Sequence, residues 1–207
     1  MAYQLEVVDL TNLPPADTLL SAQEQAYVKT LRFPKRRNEW LGGRFALKRV
    51  VGRILHTDNL SQVEVLPQEC GKPKLLIGGE VTRLAYSITH SNGFAVAAAS
   101  ADEKYIGIDL EKIEHRIEAW KNDFFHPSEL TSEGDEFLTA LWTQKEALVK
   151  LLGTGLSLRS NEVCCVRGEP HFSGRALEIY KALGAPQISI KTEHWPAGFM
   201  FSVAVGK

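Results

Sequence analysis

The chain has 207 residues, of which 44% are hydrophobic and 24% are charged, and its formal net charge is −1. This composition is typical of a soluble globular protein with one large domain or two small ones. The near-neutral charge gives no general attraction to nucleic acids or membranes. We expect no signal peptide and no transmembrane segment, because the sequence lacks any apolar run of about 20 residues. Three cysteines, two of them adjacent, predict neither a disulfide framework nor a zinc site, and the predicted location is cytoplasmic.

The charges are unevenly distributed along the chain. Residues 29–53 carry nine basic side chains against one acid, whereas residues 102–136 carry eleven acids against four bases. A cleft between a basic half and an acidic half could hold a polyanion on one wall and a divalent cation on the other. We therefore expect a site that handles both kinds of charge.

In the first half, the apolar run 5–10 predicts a strand. Ser21 and Glu24 match a capping box that opens a helix. A second helix is predicted over 39–55, with its cationic residues on one side. Four further strands are predicted between Gly and Asn turns: 63–66, 74–77, 84–89 and 94–100.

In the second half, a strand is predicted over 106–113 and a helix from Ser128 onward. A long helix is predicted over 138–152, and Gly153 and Gly155 are expected to end it. Four further segments have the pattern of strands: 163–166, 178–180, 187–192 and 199–205.

The two halves share this order of elements, which indicates an internal duplication. Matching residues are 102 apart for Trp40 with Trp142 and Lys48 with Lys150, and 105 apart for Gly93 with Gly198. Chance similarity is the alternative explanation. We predict an α+β fold of two similar α/β subdomains, 1–103 and 104–207. A pseudo-twofold axis is expected to relate them, with the active site in the cleft between them.

The segment 105–113 contains two acids on a predicted strand. Strand alternation places Gly107, Asp109 and Glu111 on one face, with the two carboxylates about 6–7 Å apart. Their mutual repulsion is relieved either by water or by a cation between them. The segment therefore predicts either a solvated strand face or a site for a hard cation such as Mg²⁺.

The long helix of the second half is largely apolar, so it is expected to be buried. Its polar residues Thr143, Glu146 and Lys150 fall within one narrow stripe. Glu146 and Lys150 stand at i and i+4, a spacing that also suits a surface ion pair. The narrowness of the stripe favours a functional site.

Three features of the first half suit phosphate binding. His90 lies where a predicted strand ends, and Gly71-Lys72-Pro73-Lys74 forms a turn with two ammonium groups. Arg44 and Lys48 lie one helical turn apart on one face, where Arg offers bidentate contacts and Lys a mobile charge. The alternatives are a structural histidine, a solvated turn and a solvated basic face. Without a Gly-rich phosphate loop, side chains and a metal must hold any phosphate.

Four ordered blocks resemble the 4′-phosphopantetheinyl transferases of the surfactin-synthetase-activating (Sfp) type. Residues 107–112 resemble the family's Gly-x-Asp-x-Glu signature, and residues 142–150 resemble its Trp-x-x-Lys-Glu-Ala-x-x-Lys signature. Gly71-Lys72-Pro73 and residues 87–91 resemble two earlier blocks in the right order. The resemblance spans the chain from about Lys29 to its end.

The resemblance implies an enzyme that moves 4′-phosphopantetheine from coenzyme A to a serine of an apo acyl or peptidyl carrier protein. Adenosine 3′,5′-bisphosphate leaves, and Mg²⁺ is the implied cofactor. The family resemblance implies a monomer that binds neither nucleic acid nor membrane. Fatty-acid, polyketide and non-ribosomal peptide carriers all remain open as partners.

Carried over by position, the resemblance assigns roles to individual residues. The implied metal ligands are Asp109, Glu111 and Glu146. Glu146 is the candidate base for the serine hydroxyl, and Lys150 would assist the departing phosphate. The implied coenzyme A contacts are Lys29, Lys72, Pro73, Thr89 and His90. Ala26 stands where the family often has a second lysine, so Arg44 and Lys48 are expected to complete the phosphate contacts.

Two other functions are compatible with the sequence. One is a catalytically silent module that binds coenzyme A or a nucleotide, which Glu146 and Lys150 argue against. The other is a nucleic-acid-binding protein that uses residues 29–53, which the acidic stretch and the lack of a recognised motif disfavour.

Overall fold

The computed structural model describes residues 2–68, 71–154 and 158–207. The chain divides into two units, Met1–Glu103 and Lys104–Lys207. Each unit contains both helices and antiparallel sheets, so the predicted α+β class is confirmed. Within the described residues, no helix combines the length and apolar character needed to cross a bilayer.

The described part of the first unit contains three α-helices and six strands. The strands are β1 (Gln4–Asp9), β2 (Val63–Leu66), β3 (Lys74–Ile77), β4 (Glu80–Val81), β5 (Ala85–Ser91) and β6 (Phe94–Ser100), and the helices are α1 (Ala16–Leu19), α2 (Ala22–Val28) and α3 (Pro34–Leu55). Its main sheet has the antiparallel order β1-β6-β5, and β2-β3-β4 form a second sheet. Helix α3 packs on the main sheet through a buried core that includes Leu47, Val50 and Val51.

Local signals account for the helix ends of this unit. The capping box at the start of α2 is confirmed, because the Ser21 hydroxyl accepts from the Glu24 amide while Glu24 accepts from the Ser21 amide. Helix α3 begins five residues before the predicted start at 39, since Pro34 suits the first turn of a helix. It ends at His56, which adopts the left-handed conformation.

Outside residues 155–157, the second unit contains three α-helices and five strands. The strands are β7 (Tyr105–Lys112), β8 (Val163–Val166), β9 (Glu169–Phe172), β10 (Ile188–His194) and β11 (Phe199–Gly206), and the helices are α4 (Glu118–Phe124), α5 (Asp135–Leu152) and α6 (Gly174–Ala182). Its main sheet has the antiparallel order β7-β11-β10. Helix α5 ends at Gly153 in the left-handed conformation, as predicted, while Gly155 lies outside the described residues.

Two predicted elements of this unit are wrong. No helix begins at Ser128, where the chain forms only the 3₁₀ turn Pro127–Glu129. The predicted strand 178–180 lies inside α6. A segment of three residues is too short to distinguish a strand from a helix, and here the apolar positions of α6 follow the helical spacing from Ala176 to Ile179 and Tyr180.

The main sheets of the two units share one topology, in which the last strand lies between the first and the penultimate strand. In the first unit, Glu6 on β1 pairs with Ala97 on the central strand. In the second, Asp109 on β7 pairs with Ser202 on the central strand. Ala97 and Ser202 are 105 residues apart, the predicted offset of the central strands. Glu6 and Asp109 therefore hold equivalent positions.

The predicted match of Lys48 with Lys150 is wrong, because Lys48 has its counterpart in Lys145. The Lys48 ammonium binds the Glu24 carboxylate (2.6 Å) and the carbonyl of Leu19, while Glu24 accepts from the Val65 amide. A second set of groups repeats this arrangement. The Lys145 ammonium binds the Glu129 carboxylate (2.8 Å) and the carbonyl of Phe124, while Glu129 accepts from the Cys165 amide. The helices thus align with an offset of 97 residues.

Candidate active site

A glycine brings α5 close to β7. A Cβ atom built on Gly107 would lie only 1.9 Å from the carbonyl oxygen of Ala147 and 2.5 Å from the amide of Leu151. Only a residue without a side chain lets the helix backbone approach the strand so closely. Because residues of a strand alternate between faces, Asp109 shares the face of Gly107. The glycine of the first signature therefore brings the acid and the helix together.

Asp109 and Lys150 are in direct contact. The Lys150 ammonium lies 2.6 Å from Oδ1 of Asp109, and the Asp109 side chain is only 5% exposed. Such a charge-assisted hydrogen bond is among the stronger polar contacts in a protein. The strand signature and the helix signature, separated in sequence, thus meet in one place.

Glu146 lies one helical turn before Lys150 on α5. Burial raises the pKa of the Glu146 carboxyl, and the negative charge of Asp109 raises it further, while Lys150 and Lys145 lower it. The close approach of Gly107 to Ala147 and the contact of Lys150 with Asp109 place this turn of α5 beside Asp109. A raised pKa favours the protonated form of the free acid, so a cation at this place would relieve an unfavourable charge.

Glu111 is the third acid of the predicted metal set. It lies two residues beyond Asp109 on β7 and is half-buried. Among residues 2–68, 71–154 and 158–207, no group of three His, Cys, Asp or Glu side chains is gathered for a metal ion. The structure thus brings Asp109 and Glu146 together with Lys150, but it does not assemble the three acids into one ligand group.

The equivalent place in the first unit carries the opposite charge. By the helix offset, Arg53 corresponds to Lys150, and its guanidinium contacts the Glu6 carboxylate at 2.5 Å. Arg49 corresponds to Glu146 and contacts Glu6 at 3.0 Å. This group of one acid and two bases in the first unit has a net positive charge. The equivalent group in the second unit has two acids, Asp109 and Glu146, and one base, Lys150, so its net charge is negative.

A second candidate site is a pocket of about 300 Å³ in the first unit. It has three basic side chains and one acid, and the full lining is Tyr27, Arg36, Glu39, Trp40, Arg44, Pro67, Gln68, Gly71, Pro73, Ile88 and His90. His90 Nε2 lies 3.3 Å from the Arg36 guanidinium and Nδ1 lies 3.9 Å from the Glu39 carboxylate. The pocket therefore has the charge expected of an anion site.

Tyr86 on β5 contacts the turn that carries Lys72 and Pro73. The Tyr86 hydroxyl donates to the carbonyl of Pro73 (2.5 Å), and the Lys72 ammonium lies 4.7 Å from the centre of the Tyr86 ring. Thr89 lies further along β5 and is buried. The two earlier sequence blocks are thus neighbours.

Two of the predicted phosphate contacts, Lys29 and Lys48, do not line the pocket to which Arg44 belongs. Lys29 is exposed at the C-terminal end of α2 and does not line the pocket. Lys48 is fully buried, and its three donors meet Glu24, Leu19 and Leu60. An ammonium group has three donors, and these contacts use all of them. The prediction that Lys48 binds a phosphate is therefore wrong.

The buried pair of Glu129 and Lys145 escaped the sequence analysis. Lys145 directly precedes Glu146, and the contact of its ammonium with the Glu129 carboxylate fixes this turn of α5. Glu129 in turn accepts from the Cys165 amide on β8. The backbone of Cys165 therefore takes part in this buried hydrogen-bond network. The signal that could have revealed the pair is a lysine on an otherwise apolar, buried helix face, since buried lysines are paired.

Comparison with known proteins gives concordant matches. A family model described as the 4′-phosphopantetheinyl transferase superfamily matches residues 105–196. The chain is 31% identical over 161 residues to the 4′-phosphopantetheinyl transferase HetI of Nostoc sp., covering 73% of this chain and 67% of that protein. It is 33% identical over 98 residues to a 4′-phosphopantetheinyl transferase of Bacillus subtilis, covering 44% of this chain and 42% of that protein.

The solved structures that match include a holo-(acyl-carrier-protein) synthase from Bacillus anthracis in complex with CoA (3′,5′-ADP). It has 25% sequence identity and a TM-score of 0.41, and the match covers 47% of this chain and 92% of that one.

Proposed function

Since the chain belongs to the 4′-phosphopantetheinyl transferase superfamily, we propose that it transfers 4′-phosphopantetheine from coenzyme A to a serine of an apo carrier protein. Adenosine 3′,5′-bisphosphate is the second product. The main observation behind the proposal is that Asp109, Glu146 and Lys150 lie close together where α5 packs against β7. Two acids and one ammonium in one half-buried place suit the transfer of a phosphoryl group.

The residues of this place fit a magnesium ion. Mg²⁺ in phosphoryl-transfer sites is held by one or two carboxylates together with substrate phosphates and water. Asp109 and Glu146 supply such a pair, and the burial that raises the pKa of Glu146 favours a cation beside it. Glu111 would assist through a water molecule. When bound, the ion neutralises the charge of the diphosphate.

Glu146 and Lys150 have distinct roles in the proposed reaction. The serine oxygen forms a bond to the β-phosphorus of coenzyme A, and the bond to the adenosine bisphosphate oxygen breaks. Glu146 accepts the serine proton, because a carboxylate with a raised pKa is a better base than an ordinary one. The Lys150 ammonium has donors besides the one directed at Asp109, so it can donate to the departing phosphate oxygen.

The basic pocket of the first unit is the proposed place of the nucleotide end of coenzyme A. His90 lies at its edge, and Lys72, Pro73 and Thr89 lie on the neighbouring turn and strand. Lys29 is exposed and would reach a phosphate only with its flexible side chain extended. We infer the same carrier classes as from the sequence: fatty-acid, polyketide and non-ribosomal peptide carriers.

Intact-mass measurement of an apo carrier protein after incubation with coenzyme A and Mg²⁺ tests the function. We expect the carrier to gain the mass of one phosphopantetheine group. Glu146→Gln and Asp109→Asn should abolish the gain. Glu136→Gln is the matched control, because Glu136 lies on the same helix but is exposed and paired with His194.

A wild-type chain that binds coenzyme A but modifies none of the three carrier classes would support the silent binding module instead. Full transfer by Glu146→Gln would overturn the assignment of the base.

A further inference from the structure

Four polar side chains form a continuous series of hydrogen bonds where α5 packs on the main sheet of the second unit. The Gln144 amide nitrogen lies 3.0 Å from Oγ1 of Thr192 on β10, which lies 2.9 Å from Oγ of Ser202 on β11. The Ser202 hydroxyl lies 2.7 Å from Oγ1 of Thr143 on α5. Thr143 in turn donates to the carbonyl of Ala140 at 2.9 Å. We call these four side chains the hydroxyl chain.

The hydrogen bonds of the hydroxyl chain all point the same way. A carbonyl only accepts, so the single proton of Thr143 goes to Ala140, and the Thr143 oxygen accepts from Ser202. With its own proton used, Ser202 accepts from Thr192, and Thr192 accepts from the Gln144 amide. Each hydroxyl thus donates once and accepts once. Hydrogen bonds aligned in this manner strengthen one another.

The hydroxyl chain lies beside two acids of the candidate active site. Ser202 pairs with Asp109 across the two strands, and residues paired in this way share one face of the sheet. Thr143 lies three residues before Glu146 on α5, so the two side chains are neighbours on the helix surface. We propose that the hydroxyl chain holds Glu146 at a fixed spacing from Asp109 and so prepares the place of the divalent ion. This inference rests on the proposed function and assigns a positioning role, not a role as a ligand.

The first unit shows that the fold itself does not need these polar groups. The offsets of the helices and central strands, together with the strand pairing, give apolar equivalents throughout: Ala46 for Thr143, Leu47 for Gln144, Ile88 for Thr192 and Ala97 for Ser202. These four residues pack in the hydrophobic core of the first unit. Burying a hydroxyl costs free energy unless it is hydrogen-bonded, so apolar residues fill such positions more simply. The polar version stands in the unit that carries Asp109 and Glu146.

The charges of the two units explain this difference. In the first unit, opposite charges draw strand and helix together, because Arg49 and Arg53 both contact Glu6. In the second unit, Asp109 and Glu146 repel each other, and the lysine beside them offsets only one of the two charges. Apolar packing has no preferred direction, whereas hydrogen bonds fix an orientation. The hydroxyl chain therefore keeps the two carboxylates in register before an ion binds, which lowers the cost of assembling the site.

Calorimetry with Mg²⁺ tests the proposal without turnover. Mg²⁺ is titrated into protein saturated with coenzyme A, with no carrier protein present. Thr143→Val keeps the shape of the side chain but removes the hydroxyl, and it should weaken Mg²⁺ binding about tenfold. Ser202→Ala, which introduces the residue of the first unit, should have a similar effect. Thr143→Ser keeps a hydroxyl and should bind Mg²⁺ within about twofold of wild type.

Thr139→Val is the matched control on the same helix. Thr139 is a buried threonine one turn earlier, and its hydroxyl donates to the carbonyl of Asp135 within α5. It takes no part in the hydroxyl chain, so its loss should leave Mg²⁺ affinity unchanged. Melting temperatures confirm that each variant is folded. Wild-type Mg²⁺ affinity in folded Thr143→Val, an equal loss in Thr139→Val, or a wild-type complex that binds no Mg²⁺ would overturn the proposal.

The transfer assay separates this proposal from the proposed function. If wild type and Thr143→Val modify a carrier with the same dependence on Mg²⁺ concentration, the transferase function stands and the positioning role fails. If wild-type protein modifies no carrier but Thr143→Val still weakens Mg²⁺ binding in the coenzyme A complex, the proposed function fails and the positioning role stands.

Discussion

Arg49 and Glu146 occupy equivalent positions in the two units, each directly after the buried lysine of its helix. Arg49 contacts Glu6 at 3.0 Å and neutralises it. Glu146 instead adds a second negative charge beside Asp109. Equivalent positions on the strand and the helix thus carry a net positive charge in the first unit and a net negative charge in the second, which supports the proposal of a metal ion in the second unit alone.

Replacing Glu146 by Gln should make the protein more stable as well as inactive. Burial and Asp109 make the ionised carboxylate costly in the folded state, and the neutral amide removes that cost. The melting temperature at neutral pH without added metal should rise by about 2–4 °C for each kcal/mol relieved. Glu136→Gln serves as the exposed control. A lower melting temperature for Glu146→Gln would mean that the carboxylate is structural.

The stability difference between wild type and Glu146→Gln should depend on pH. The folded pKa of Glu146 is raised, so the folded state binds the proton more tightly than the unfolded state, and wild-type stability falls as pH rises between the two pKa values. The advantage of the variant should therefore be full above the raised pKa and vanish below the ordinary range of glutamate. Urea unfolding across this range measures it. A difference that is constant with pH would contradict the assigned cause.

Gly107→Ala should destabilise the second unit and abolish transfer together. The new Cβ would collide with the backbone of Ala147 and Leu151, and backbone atoms of a helix cannot rotate away as a side chain can. Overpacking of this kind costs about 1–3 kcal/mol or more. Gly206→Ala is the matched control, because there a Cβ meets only side chains at 3.3 Å or beyond. Chemical denaturation of both variants checks the difference.

The buried pair of Lys48 and Glu24 should affect stability and not nucleotide binding. Lys48→Met alone leaves the Glu24 charge buried without its partner, which typically costs about 3–5 kcal/mol. Combining Lys48→Met with Glu24→Gln should recover part of that loss. The double variant should bind adenosine 3′,5′-bisphosphate with near wild-type affinity. A tenfold weaker affinity in the folded double variant would restore Lys48 to the phosphate contacts.

Sequence patterns predicted the regular elements well where a strong local signal exists. Strands 63–66, 74–77, 94–100 and 163–166 match the structure residue for residue, because each is mainly apolar and lies close to turn residues. The helix predicted from Ser128 is wrong, because the capping contacts of His126 and Glu129 close only one 3₁₀ turn.

The site could be predicted only in part, because burial and pairing depend on the whole fold. Asp109, Glu146 and Lys150 were identified from signatures, and the structure brings them together. Lys48 has the same residue type as a phosphate ligand, and only the buried partner Glu24 reveals its structural role. Arg36 stands in a basic run with nothing local to distinguish it from its neighbours, so its contact with His90 was not predictable.

Tyr86 couples the positions of two neighbouring residues. Its hydroxyl donates to the carbonyl of Pro73, and its ring lies under the ammonium group of Lys72. Because one side chain makes both contacts, a change in the Tyr86 rotamer would alter both of them at once.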